Sequence, residues 1–128
     1  MRTQIPNEAM DDIKQAGRCI AFDIPTAAAF HIIRATETVI LQYYNKLGGK
    51  SIKPKMRNWG AYINALRSCK ADQRITGFLD HIREEYRNPV LHPETMVESE
   101  QVQVFLGVCV SAIIQMIQAI KAIATPAP

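Results

Sequence analysis

The chain has 128 residues, 48% of them hydrophobic and 21% charged, with a net charge of +3. That length suits one domain with a real core and is short for two. The balance excludes a disordered chain, in which hydrophobicity is low and charge high.

The opening MRTQIPNEAMDD has no apolar run after Arg2, which argues against a secretory signal and for a cytoplasmic protein. Apolar spacing near 3.6 residues then recurs, without sustained alternation. The expected fold is therefore all-α, a single-domain bundle of about five helices over residues 1–124, with TPAP at 125–128 as a tail. A first helix is expected over about 7–21, with Pro6 before it, Glu8, Asp11 and Asp12 in its early turns, and Ile13, Ala16 and Ile20 on one face.

Asp23-Ile24-Pro25 breaks the chain, and a second helix should span about 26–47 and end at Gly48-Gly49. At about 100° per residue, Glu37 falls among Phe30, Ile33, Ile40, Leu41 and Tyr44, in the middle of the apolar face. An ionised carboxylate is costly there unless it is paired. Arg34, three residues back, is one candidate partner, which would make the two a pair at the edge of the core. The other reading is that a buried acid marks a site. His31 falls opposite Glu37 and is expected on the surface.

Lys50 to Lys55, with Pro54, is a basic connector to a third helix over about 57–69, where Tyr62, Ala65, Leu66 and Cys69 recur at helical spacing. Residues 50–74 carry seven basic side chains against Asp72 alone, with Trp59 and Tyr62 among them. Two readings stay open. Cations could neutralise phosphates while the rings stack on bases, or the segment could be a solvated loop and helix face. Asp72 is expected to cap a fourth helix with Ile75, Phe78, Leu79, Ile82 and Tyr86 on one face and His81 on the surface.

That helix runs into EYRNPVLHPE at 85–94. Arg87 follows Arg83 by one turn, so both guanidinium groups can point the same way. Pro89 has no backbone donor, and the helix is expected to stop and restart there, with Asn88 as cap and Pro89 in the first turn. Pro93 biases His92 toward extended backbone, which holds Val90-Leu91-His92 between two rigid points. Rigid presentation is what a catalytic imidazole needs. A histidine that titrates near neutrality and a permanently charged, forked arginine suit metal-free cleavage of an RNA phosphodiester. The 2′-hydroxyl loses its proton and attacks phosphorus, and the arginine stabilises the anionic intermediate. A purely structural histidine is the alternative.

The last helix is expected over about 98–124. Residues 101–120 carry no charge and match a membrane span in length. Gln103, Gly107, Ser111, Gln115, Gln118 and Lys121 make a narrow polar stripe, which argues against a membrane and for a helix enclosed by neighbours, a second subunit among them. Cys19, Cys69 and Cys109 are far apart and outside any CxxC pattern, so they are expected to be small buried hydrophobes and neither a disulfide framework nor a zinc site. HExxH, glycine-rich phosphate loop and GxSxG motifs are lacking, and no metal or cofactor is expected.

RNPVLH, an arginine with asparagine directly after it and a histidine after four intervening residues, set in an all-helical chain, resembles the HEPN superfamily (higher eukaryotes and prokaryotes nucleotide-binding). FHIIRATE and RNPVLHPE also resemble uncharacterised bacterial proteins with HEPN-like domains. The resemblance implies a metal-independent endoribonuclease, often a toxin or phage-defence effector, whose site forms where two motifs meet across a homodimer. Arg87 and His92 match the motif's arginine and histidine, Asn88 its frequent polar neighbour, and Glu37 a polar residue that some members supply from an earlier helix. Those four are the catalytic candidates. Arg34, Lys50, Lys53, Lys55, Arg57 and Arg83 are the candidate RNA contacts, single-stranded RNA or tRNA loops the expected substrate, and an antitoxin or partner domain a further expected partner. The family also includes non-catalytic modules that dimerise and bind a nucleotide, RNA or a protein, which is the alternative expectation.

Overall fold

The computed structural model describes residues 5–50, 58–92 and 96–124, and these form an all-α bundle around one core. Helices α1 (Asn7–Ala21) and α2 (Pro25–Lys46) form a hairpin, followed by α3 (Trp59–Ser68) and α4 (Gln73–Ile82). A π-helical turn (Arg83–Arg87) carries α4 without a break into α5 (Asn88–Leu91), and α6 (Ser99–Ala124) closes the bundle. Counting α4 to α5 as one rod, five rods stand where about five were expected.

Local chemistry sets the boundaries. Asp23 takes a left-handed φ of 56°, letting the Ile24 N–H reach back to the Cys19 carbonyl (2.7 Å) before Pro25 opens α2. Gly48, at φ 86°, ends α2, and Gly49 sits so close to the Tyr44 ring that a Cβ would lie 2.3 Å from it. The Asn58 side chain accepts from the Ala61 N–H (2.8 Å) to start α3, and that of Asp72 accepts from the Arg74 N–H (2.9 Å) to start α4. At the start of α6 the Gln101 side chain accepts from the Glu98 N–H (3.2 Å), and the Ser99 hydroxyl donates to Asp23.

That last contact puts the start of α6 beside the α1–α2 turn, so α6 runs parallel to α2 and its far end reaches Ile5, Asn7 and Met10. The rod from α4 runs the other way. Ile75 and Phe78 lie beside Gln115 and Ala119, and Tyr86 stacks on Phe105 with ring centroids 6.3 Å apart. Between these layers Ile32, Ile40 and Tyr43 of α2 meet Trp59, Ile63 and Leu66 of α3, Leu79 and Ile82 of α4, and Phe105, Ile113 and Met116 of α6, all fully buried.

Four expectations need correction. The helix does not stop at Asn88, whose φ and ψ of −64° and −46° are helical and whose N–H reaches the Arg83 carbonyl, five residues back. In an α-helix Pro89 would leave the Glu85 carbonyl without its donor and press its ring against it; one wide π turn absorbs both problems without breaking the rod. Within one chain the polar stripe of α6 is not enclosed: Gln103, Gly107, Ser111, Gln115, Gln118 and Lys121 are exposed, and the opposite face fills the core. The helix is nonetheless long and apolar enough to cross a membrane by length and composition. Trp59 and Tyr62 are buried at 0% and 3% exposure, so neither ring is open to a stacking base. Of the cysteines only Cys109 is buried, while Cys19 and Cys69 are half-buried. Pro93 and the tail at 125–128 lie outside the described residues.

Candidate functional site

α2, α3 and the π turn each bring one side chain to a single point. Glu37 is half-buried on α2, and its Oε1 accepts a hydrogen bond from the indole Nε1 of Trp59, the first residue of α3 (3.0 Å). The Arg87 Nη2 lies 4.0 Å from the same Oε1, and its guanidinium carbon stands 5.8 Å from the centroid of the Trp59 ring, within reach of a cation–π attraction. Nη1 donates to the Asn88 side-chain oxygen (3.2 Å). The Arg87 Nε is buried without a partner, a state it shares with Gln42 Oε1 among the described residues. Arg87 is thus short of acceptors: one good hydrogen bond, one carboxylate beyond hydrogen-bond range, and a ring face.

Burial dominates the electrostatics of the pair. It pushes the Glu37 carboxyl above its ordinary value against the opposing pull of Arg87 and of the Trp59 hydrogen bond. Burial also lowers Arg87, with Glu37 working against that and Arg83 adding to it. A desolvated cation beside a desolvated acid is a common signature of functional sites.

The other candidates do not gather here. His92 is exposed at the end of α5 with extended backbone (φ −66°, ψ 129°), as the following proline predicts, and its N–H donates to the Pro89 carbonyl (3.2 Å). Within one chain, then, Arg87 turns inward and His92 outward. Arg83 does not join Arg87 at Glu37. It binds Asp80 through Nε (3.0 Å) and Nη2 (2.8 Å), with Arg67 on the other Asp80 oxygen at 3.5 Å, and Arg83 leads the groups holding the Asp80 carboxyl below its usual value. Lys50 is exposed, and Lys53, Lys55 and Arg57 lie outside the described residues.

Arg34 is not Glu37's partner. It grips Asp12 of α1 with two hydrogen bonds (Nε to Oδ2, 2.9 Å; Nη2 to Oδ1, 2.8 Å), and His31 Nδ1 lies 2.8 Å from the same Oδ1. Asp12 is 5% exposed, and the Arg34 hydrogen bonds, then that of His31, hold its carboxyl below the ordinary range although burial opposes them. Sequence reasoning missed this cluster and set His31 on the surface. The signal was there: Ala9, Asp12 and Ala16 share one side of α1, so Asp12 sits on the buried stripe. It also missed Trp59 as a site residue, although a buried indole needs an acceptor and a buried carboxylate a donor.

No family model, curated protein or solved structure matches the chain. Among the described residues no three His, Cys, Asp or Glu side chains form a group that could hold a metal ion.

Proposed function

We propose that the protein is an endoribonuclease that works without a metal and completes its site with a second copy of itself. The reading rests on Arg87: a half-buried guanidinium with unsatisfied donors, next to Asn88 and five residues before an exposed histidine. The substrate is single-stranded RNA or a tRNA loop. His92 takes the proton of a 2′-hydroxyl, that oxygen attacks the adjacent phosphorus, and Arg87 stabilises the anionic intermediate. The 5′-oxygen leaves with a proton from the second chain's His92, and a 2′,3′-cyclic phosphate remains. Two chains are required because each brings one histidine in this motif, His92, and the reaction uses one imidazole as base and one as acid. Such a nuclease suits a toxin or phage-defence effector held in check by an antitoxin or partner domain.

Labelled RNA incubated with the protein tests this. Cleavage to a cyclic-phosphate end is expected, lost in Arg87→Ala and His92→Ala and kept in EDTA; full activity in either variant would sink the reading.

A second reading is favoured by the opposed directions of Arg87 and His92. Under it the chain is a non-catalytic dimerisation module that binds a nucleotide, RNA or a protein, with Arg87 as anion contact and His92 as a surface residue. Retention of labelled RNA without cleavage would support it.

A further inference from the structure

We propose that Glu37 is a built-in competitor for Arg87: its carboxylate faces the guanidinium in the resting protein and offsets its charge without hydrogen-bonding it, and an incoming oxyanion must draw Arg87 away from it. The inference rests on the reading of Arg87 as the anion-binding residue of the site.

Three observations carry it. First, the ion pair is loose. Nη2 stands 4.0 Å from Oε1, beyond hydrogen-bond range, and that oxygen is already occupied by the Trp59 indole at 3.0 Å. Second, the arginine is underused. Its Nε is buried with no partner, and the neutral Asn88 side chain holds only Nη1. A phosphate oxyanion offers the acceptors this guanidinium lacks, in the forked geometry it favours. Third, the arginine has somewhere to rest. The Trp59 face, 5.8 Å away, attracts the cation without satisfying any N–H, so Arg87 is held near the site but not used up.

Glu37 then has two effects of opposite sign. It keeps a desolvated cation tolerable in the resting fold, and it subtracts from the field that an anion meets. Substitution by glutamine separates them, because an amide oxygen still accepts from the Trp59 indole while the competing charge is gone. A simple structural pair predicts the contrary result, since losing Glu37 would then loosen Arg87 and weaken binding.

Trp59 is the single tryptophan of the chain and touches both partners, so its emission reads the exchange directly. The full chain is titrated with inorganic phosphate and with a 2′-deoxy oligonucleotide, which has no 2′-hydroxyl and cannot be cleaved by the proposed route. We expect a saturable change in wild type, at least tenfold tighter binding in Glu37→Gln, and none in Arg87→Ala. Equal or weaker binding in Glu37→Gln overturns the proposal, as does a response that survives Arg87→Ala. If Glu37→Gln does not fold by circular dichroism, Glu37→Met removes the charge at similar length while also taking the indole's acceptor; at least tenfold tighter binding there supports the proposal and equal or weaker binding overturns it. The two ideas fail separately. If RNA is never cleaved but Glu37→Gln tightens anion binding, the nuclease falls and the competitor stands; if RNA is cleaved and Glu37→Gln does not tighten binding, the reverse holds.

Discussion

Replacing Asp12 by asparagine should weaken the whole bundle, because this carboxylate ties α1 to α2 from inside. Asp12 is 5% exposed and accepts hydrogen bonds from both Arg34 and His31. A hydrogen bond to a charged group contributes about 1.5–3 kcal/mol net. Arg34 is 70% exposed and recovers its hydration when released, so its bonds are left out of the figure. The half-buried His31 contact and the buried acceptor remain, and the low end of the range, about 1.5–2 kcal/mol, is the expected loss. For a chain of this size that lowers the melting temperature by about 6–8 °C. The pH dependence has a definite sign. The folded carboxyl lies below its ordinary value, so its contribution is complete above the unfolded pKa, about 3.9, and fades as pH falls through that point toward the folded value. Thermal unfolding of wild type and Asp12→Asn at pH 7 and pH 3 should show the gap narrowing at the lower pH. An equal gap at both values, or none at pH 7, would refute the reasoning.

Other substitutions test other parts of the fold. Lys70 is exposed and holds a left-handed φ of 58° after α3, so Lys70→Gly should stabilise by about 0.5–1 kcal/mol in urea unfolding. Gly49→Ala should cost about 1–3 kcal/mol, because the new methyl meets the ring of Tyr44, itself only 9% exposed. Cys109 is buried and its thiol is pushed up to about 12, mainly by that burial, so mass spectrometry after mild alkylation at pH 8 should find Cys19 and Cys69 modified and Cys109 intact.

The helices were legible because their ends carry local chemistry. Pro25, Gly48 and Asp72 act on neighbours a few residues away, and the apolar period does the rest; the Asn58 cap went unread, and α3 was expected from about 57 where it starts at Trp59. The site was legible only in part. Glu37 stood out because an acid in an apolar stripe violates a rule within one helix, but its partner could not be read that way. Arg34 was the near candidate by spacing, whereas the real contacts, Trp59 and Arg87, lie 22 and 50 residues on and arrive through tertiary packing. Asp12 was hidden for the opposite reason: an acid early in a helix already had a local explanation in the helix dipole, which masked its burial between Ala9 and Ala16.

Pro89 is where local reading failed most usefully. The proline was expected to end a helix, and the chain answers with a π turn, which adds one residue to the circuit and rotates the residues beyond it. Consecutive residues then reach different layers: Tyr86 lies on Phe105 of α6, and Arg87 lies over Trp59 and opposite Glu37. An uninterrupted α-helix would let the Tyr86 side follow the core stripe and turn Arg87 toward the surface. Pro89→Ala restores the missing N–H and lets the rod relax to α register. It should therefore unfold at a higher temperature than wild type and, on the proposed role of Arg87 as an anion contact, bind phosphate more weakly, a gain in stability set against a loss at the site. The single Trp59 indole N–H resonance reports the change directly, shifting if Arg87 leaves the ring. An indole resonance and phosphate affinity both unchanged in a stabilised Pro89→Ala would mean that packing of Tyr86 against Phe105 holds the π turn, and that the proline only tolerates it.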